Sequence, residues 1–244
     1  MSETAVQLIR HATLQVTIGR TTFLVDPMLD AAGARPPIPN TPNDRSNPLV
    51  PLPDVEFDPD AVVVTHTHAD HFDQAAAERL SHALPVFCQP PDVATIIETG
   101  FDDVRPVERT ASFESVILTR TGGRHGHDEL ADDMGPVSGF VFSTDGEPSI
   151  FVAGDTVWCD ELADALETHE PDVVVLNAGG ARFVSGEPIT MTIEDIRRVQ
   201  DAVPNATVIA VHMDAINHCL LSRDDLRESM PEIDIPEDGE TIAV

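Results

Sequence analysis

The sequence THTHADHFD at residues 65–73 follows an apolar run, Ala61-Val62-Val63-Val64, that predicts a buried strand. The histidines therefore come at the carboxyl end of that strand. Side chains alternate along an extended backbone, so His66 and His68 point to the same side and can hold one cation together. Asp70 and His71 follow once the chain has begun to turn, and they are aimed to serve a second cation. The alternative is a polar strand end without metal, which would leave many buried imidazole nitrogens to satisfy.

Charge sets limits on what the chain can bind. Its 244 residues include 43 Asp and Glu against 14 basic residues, all of them Arg, for a formal net charge of -29. Such a field repels nucleic acid and anionic membranes at long range, which leaves a small molecule as the expected partner. Molar salt would suppress the self-repulsion, since the Debye length falls to about 3 Å. We therefore predict an acidic, halophilic protein from a salt-adapted cytosol; an acidic mesophilic protein is the alternative.

Size and composition predict a single domain over residues 1–244. No apolar run approaches the roughly 20 residues that a membrane span needs, and the first four residues contain no basic secretory region. These features predict a soluble, cytoplasmic protein. Cys88, Cys159 and Cys219 are far apart and form no CxxC pair, so neither a disulfide framework nor a zinc ribbon is indicated.

The apolar patterns predict alternating strands and helices. The predicted strands are 6–9, 14–18, 22–25, 61–64, 86–88, 115–121, 139–142, 149–152, 173–176, 207–211 and an edge strand at 241–244. The predicted helices are 74–83, 92–99, 161–169, one running from the cap Thr192 to 203, and one opening at Ser222. Residues 28–60 are rich in Pro, Asn and Asp, which predicts a long irregular loop, either an ordered lid over the site or a plain surface excursion.

Several predicted strands end in ligand-type residues. Besides residues 66–71, these are Asp26, either His125 or His127, Asp155 and His212. Because loops at one edge of a sheet share a surface, these side chains can converge. Nitrogen and carboxylate ligands without thiolate suit Zn(II), with Mn(II) or Fe(II) as alternatives. Two such ions about 3.5–4 Å apart would bridge a hydroxide, which predicts a hydrolase.

These motifs resemble those of a known protein family. HTHADH resembles the HxHxDH signature of the metallo-β-lactamase fold hydrolases, and RHGHDE, AGDT and AVHMDAINH follow in the family's order. The resemblance covers nearly the whole chain. It implies an α/β fold, an αββα sandwich with two mixed β-sheets packed face to face and helices outside. Residues 10–13 and 25–27 look like the branch that includes ascorbate-phosphate lactonase and the phospholipase acting on N-acyl ethanolamine lipids.

The resemblance also implies roles for single residues. His66, His68 and His125 would hold the first metal, with His127 as the alternative to His125. Asp70, His71 and His212 would hold the second, and Asp155 would bridge the two. His11 and Asp26 would orient ligands, and His218 would be a pocket residue, with a core or surface histidine as the alternative. The catalytic groups would be Asp70, which would orient the hydroxide, and Asp155.

The reaction that follows is hydrolysis of a small-molecule ester, lactone or phosphoester. One alternative is a nuclease or phosphodiesterase of the same fold, which should carry a basic surface that this chain lacks. Another is a non-catalytic metal-binding protein, against which the complete ligand set argues. The ligand set does not distinguish these substrates from thioesters, because the pocket decides substrate choice.

Overall fold

The computed structural model describes residues 4–244 and contains two mixed sheets packed face to face. Residues 1–3, which entered the prediction of a cytoplasmic location, lie outside the described part. The first sheet has the order β13-β1-β2-β3-β4-β5-β6 and the second the order β12-β11-β10-β9-β8-β7. The strands are β1 Ala5–Arg10, β2 Thr13–Ile18, β3 Thr21–Val25, β4 Ala61–Val64, β5 Val86–Cys88, β6 Val104–Pro106, β7 Thr110–Phe113, β8 Val116–Thr121, β9 Gly139–Ser143, β10 Ile150–Val152, β11 Val173–Asn177, β12 Thr207–Val211 and β13 Thr241–Ala243.

The described residues contain six α-helices. They are α1 Gln74–Arg79, α2 Val93–Glu98, α3 Asp128–Met134, α4 Asp160–His169, α5 Ile193–Ala202 and α6 Arg223–Ser229. All but α3 pack on the outer face of a sheet. Apolar clusters lie between the sheets, under α1 and α2, and under α4 to α6. The predicted αββα sandwich is confirmed.

Strand β4 is apolar at every position because both of its faces are buried. Ala61 and Val63 face the core between the sheets, whereas Val62 and Val64 face the helix layer. Strand β11 repeats this arrangement in the second sheet. A strand buried on both faces has no side that favours polar residues, so it reads as a continuous apolar run. Both strands also pair in parallel with their neighbours, which aligns their carboxyl ends at one edge.

The helix and strand predictions differ from the structure in a few places. Helix α1 ends at Arg79 rather than 83, because Leu80 is extended and packs into the cluster beneath the helix. Strands β6 and β7 were not predicted, because segments of three and four residues are too short for a strand pattern to stand out. The acidic helix α3 was also missed. Apart from one isolated bridge between Arg35 and Asn47, residues 28–60 form the predicted irregular loop.

Among residues 4–244, no helix is both long and apolar enough to cross a membrane.

Candidate metal centre

The ligand-type residues predicted from the sequence meet at one edge of the sandwich, where strands end. Residues 66–71 follow β4, His125 follows β8, Asp155 follows β10 and His212 follows β12. His11 lies in the turn between β1 and β2, and Asp26 directly follows β3. Three of these residues, His11, Asp26 and His212, have positive φ angles of 61°, 46° and 69°. Backbone of this kind is uncommon outside glycine and is concentrated at functional sites.

The first group of donor atoms comes from His66, His68 and His125. Nε2 of His66 lies 3.0 Å from Nδ1 of His68. The outer nitrogens of all three rings have other partners: His66 Nδ1 contacts Thr65 Oγ1 at 3.1 Å, His68 Nε2 the carbonyl of Met134 at 3.1 Å, and His125 Nδ1 the carbonyl of Ile189 at 2.8 Å. Carbonyl oxygens only accept hydrogen bonds, so the outer nitrogens of His68 and His125 carry the protons and the inner ones present lone pairs.

The second group consists of His11, Asp70, His71 and His212. Nε2 of His71 lies 3.3 Å from Nε2 of His212, and Oδ2 of Asp70 lies 3.3 Å from His11 Nε2 and 3.9 Å from His212 Nε2. The His11 and His212 rings overlap, with centroids 3.6 Å apart. All four residues are buried.

Asp155 lies between the two groups. Its Oδ2 is 3.3 Å from His71 Nε2 and 3.4 Å from His125 Nε2, and its Oδ1 is 3.2 Å from His212 Nε2. The carboxylate therefore reaches imidazoles of both groups. That is the position from which one carboxylate can serve two cations.

Comparison with known proteins identifies the family. The family model described as Beta-lactamase superfamily domain matches residues 21–213, which include every residue of the two groups except His11. The chain belongs to the beta-lactamase superfamily. Among curated relatives, UPF0173 protein YddR of Bacillus subtilis is 39% identical and covers 96% of this chain and 97% of its own. A UPF0173 metal-dependent hydrolase of Methanosarcina barkeri is 28% identical over 68% of this chain and 71% of its own.

Two solved structures resemble this chain over nearly its full length. A possible metal-dependent hydrolase from Veillonella parvula has a TM-score of 0.95 at 36% identity, covering 100% of both chains. An isothiocyanate hydrolase from Delia radicum gut bacteria has a TM-score of 0.93 at 36% identity, covering 98% of this chain and 99% of its own. The chain is thus a hydrolase of the metallo-β-lactamase fold.

Asp26 orients two of the site's elements in this superfamily member. Its Oδ1 accepts the backbone N–H of Thr65 at 2.7 Å, and its Oδ2 accepts Thr65 Oγ1 at 2.7 Å and His71 Nδ1 at 2.8 Å. The hydroxyl of Thr65, having donated to Asp26, is left to accept from His66 Nδ1. One buried carboxylate thereby turns the Nε2 atoms of both His66 and His71 inward.

Burial and mutual charge set the protonation of the centre. Burial lowers the pKa of His66 and His212 well below the ordinary histidine value. Burial would raise the pKa of Asp155, but the imidazoles of His212, His71 and His125 hold it well below its usual range. For His71, burial acts to lower the pKa, and the carboxylates of Asp155 and Asp26 outweigh it and raise the pKa.

The donor set fits divalent cations. Imidazole lone pairs face each other at 3.0 and 3.3 Å, a spacing that is repulsive unless a proton or a cation lies between them. The carboxylates of Asp70 and Asp155, both with pKa values well below normal, supply the negative charge that cations would balance. Nitrogen and oxygen donors without thiolate suit zinc, manganese or iron.

The two remaining predicted residues lie outside both groups. His127 is exposed and precedes α3, whereas His125 is only 2% exposed, so the geometry favours His125 of the two alternatives. His218 is buried and lines the pocket beside the centre, with its ring centroid 6.5 Å from that of Phe183.

Sequence reasoning missed some supporting residues. Asn177 donates its side-chain N–H to Asp155 Oδ1 at 2.7 Å, and Thr65 joins Asp26 to His66. Each is a polar residue directly after an apolar strand run at the ligand-bearing edge, which is a usable signal. Met134 and Ile189 contribute backbone carbonyls, which every residue has, so their residue types could not indicate this role.

A pocket of about 400 Å³ opens directly onto the centre. Its floor includes His68, Asp70 and His125. Its walls are mainly apolar and come from residues 36–39, Met134, Phe183 and Ile216, with His218, Asn47, Ala69 and Arg35 completing the lining.

Proposed function

We propose that the chain is a dinuclear metal-dependent hydrolase that attacks an electrophilic carbon of a small, uncharged substrate with an apolar arm. The observation that carries the proposal is the apolar pocket, whose floor is formed by His68, Asp70 and His125 of the metal centre. A substrate seated there would place its apolar arm on the walls and its reacting carbon over the two donor groups.

His66, His68 and His125 would hold one ion, and Asp70, His71 and His212 the other, with Asp155 reaching both. Zinc is the favoured metal, with manganese or iron as alternatives. Bound ions would supply Lewis acidity that makes water a strong nucleophile and stabilises negative charge on the substrate. Asp26 and His11 would keep the ligands oriented, and Asp70, at the pocket floor, would orient the attacking water.

The charges around the pocket favour an uncharged substrate. Arg35 is the one residue of this pocket lining with a permanent positive charge. The carboxylate of Asp30, 2.9 Å from Arg35 Nε, offsets that charge, and Nη1 donates to the carbonyl of Ala69, whereas the buried Nη2 has no hydrogen-bond partner among the described residues. The net charge of -29 repels anions further. Phosphoesters and nucleic acids, both anionic, are therefore disfavoured relative to neutral substrates.

Isothiocyanates are the first candidate substrate class. They are neutral, carry an electrophilic carbon and often an apolar arm, and a relative of solved structure at 36% identity is an isothiocyanate hydrolase. In this reaction the oxygen of water bonds to the central carbon, two protons reach the nitrogen, and the carbon–nitrogen bond breaks to give an amine and carbonyl sulfide. Neutral esters and lactones are the second class, because the same pocket accepts an uncharged carbonyl compound.

A substrate panel on metal-analysed protein tests the proposal. Purified protein would be assayed in molar KCl against an aryl-alkyl isothiocyanate, a lactone, a carboxylic ester, a thioester and a phosphodiester. We expect turnover of the isothiocyanate or of the neutral carbonyl compounds, and its loss on chelation and in Asp155→Ala. Turnover of the phosphodiester alone would contradict the proposal, as would turnover that survives complete metal removal.

The proposal extends to the setting of the enzyme. We propose one domain over residues 1–244 that acts in a salt-rich cytoplasm without a nucleic-acid or membrane partner. The support is the charge of -29 and the absence of Lys from the sequence. The lactonase branch suggested by residues 10–13 and 25–27 stays a prediction.

A further inference from the structure

One wall of the pocket is a segment without regular secondary structure. Pro36, Pro37, Ile38 and Pro39, here called the proline wall, line the pocket together with Ile216 and His218. Three prolines fix their own φ angles, so the segment has few conformations of its own. Its position over the metal centre, however, must come from contacts with the rest of the molecule.

Asn217 supplies many of those contacts, beside the backbone bonds of Asn40 to Val184 and of Arg35 to Asn47. Its side-chain Oδ1 accepts from the backbone N–H of Ile38 at 3.0 Å and from Asn47 Nδ2 at 2.8 Å. Its Nδ2 donates to Thr41 Oγ1 at 2.6 Å, to the carbonyl of Asn43 at 2.9 Å and to that of Ile38 at 3.3 Å. Both lone-pair sites and both N–H groups of the amide are therefore used within the segment 38–47.

The main chain of Asn217 reinforces the same join. Its N–H donates to Asn47 Oδ1 at 2.9 Å, and its carbonyl accepts from Asn43 Nδ2 at 2.5 Å. Asn217 is only 1% exposed, so losing these partners would leave several buried polar groups unsatisfied.

Asn217 also lies between two residues of the pocket lining. The residues before and after it, Ile216 and His218, line the pocket themselves. Asn217 belongs to the loop after β12, which begins at His212, a candidate metal ligand. The buried amide of Asn217 thus ties the proline wall to the segment that carries Ile216 and His218.

We propose that Asn217 is a positioning residue that determines recognition of the substrate's apolar arm by fixing the proline wall. It touches no reacting atom. The assignment of the arm to this pocket rests on the proposed function, whereas the fixing of the wall does not. The role requires an asparagine, because only an amide offers two acceptor sites and two donors at this size.

The test uses Asn217→Asp in the full-length protein. A carboxylate keeps the shape and the acceptor for Ile38 N–H but loses both N–H donors, and it faces the carbonyls of Ile38 and Asn43. Asn205→Asp, at an exposed turn between α5 and β12, is the matched control for the added charge. The first readout is the hydrogen-exchange rate of the Ile38 amide, measured without substrate.

We expect faster exchange at Ile38 in Asn217→Asp and no change in Asn205→Asp. We also expect KM to rise about tenfold for an isothiocyanate with a long apolar arm, with kcat, metal content and the KM of methyl isothiocyanate unchanged. Unchanged exchange at Ile38, or an equal loss of activity toward both substrates, would overturn the proposal. If Asn217→Asp does not fold, Thr41→Val, which removes one of the acceptors of the amide, is measured in the same way.

The two proposals fail differently. If the unaltered protein hydrolyses none of the compounds, the proposed function is contradicted, and the exchange rate of Ile38 still decides the role of Asn217.

Discussion

At the scale of single residues, the histidines at 125 and 127 offer a matched pair for testing the first donor group. His125 is buried against His66 and His68, and His127 is exposed two residues later. We predict that His125→Ala loses about one equivalent of bound metal per chain and that His127→Ala keeps its full content. Elemental analysis after dialysis measures both. Equal metal loss in the two variants would remove His125 from the ligand set.

Asp26 allows a second test at this scale, since it contacts no expected metal yet orients His71 and Thr65. In Asp26→Asn the side-chain NH2 would face the N–H of His71 Nδ1. Two donors cannot bond to each other, so His71 would lose its fixed orientation. We expect metal affinity to fall roughly 10–100-fold with the fold preserved. The exposed Asp58→Asn is the control. Competition with a chromophoric chelator measures the affinities, and equal values for the two variants would contradict the role of Asp26.

Most of the candidate site could be predicted from residue types at strand ends, because ligand-bearing loops gather at one edge of a sheet. Asp26 and His11 carry no functional signal by themselves. Their role in orienting ligands could be predicted only together with the other candidate ligands. The resemblance favoured His125 but left His127 as an alternative, since the two glycines before them and the one between leave the direction of the chain open. Asn217 escaped notice because its partners lie more than 160 residues away.

At the scale of elements, helix α1 shows how a cap connects the metal motif to the loop. Asp73 accepts the backbone N–H of Ala76 at 2.8 Å and that of Asp30 at 2.8 Å. We predict that Asp73→Ala lowers the free energy of unfolding by about 1–2 kcal/mol, because both donors lose their partner. Chemical denaturation measures this. Glu78→Ala, on the exposed face of the same helix, should change it by much less, and equal effects would contradict the capping role.

Element prediction succeeded where burial imposes a regular pattern and failed where it does not. The apolar runs of β4, β11 and β12, the capping residue Thr192 of α5 and the start of α6 at Ser222 were predicted correctly. Strands β6 and β7 lie at sheet edges and have only three and four residues, which is too short for a strand pattern to stand out, even though β7 alternates between exposed and half-buried positions. Helix α3 has only seven residues, and its three apolar residues, Leu130, Ala131 and Met134, lie among four acidic ones, so its apolar face is too short to stand out.

At the scale of the whole molecule, the net charge of -29 predicts a dependence on salt. Few Arg residues are available to offset the carboxylates, so the folded state repels itself at low ionic strength. We expect Tm to rise between 0.05 M and 2 M KCl. Differential scanning calorimetry of the metal-loaded protein measures it, with an equal series in sucrose as the control for general exclusion effects. A Tm that is equal or higher in low salt would contradict the halophilic assignment.

The central claim is that two donor groups joined by Asp155 hold two metal ions at the floor of an apolar pocket. Anomalous diffraction from a crystal of the zinc-loaded protein, measured at the zinc edge, tests it most directly. We predict two peaks about 3.5–4 Å apart, one among His66, His68 and His125 and one among Asp70, His71 and His212. A single peak, or peaks away from Asp155, would contradict the account.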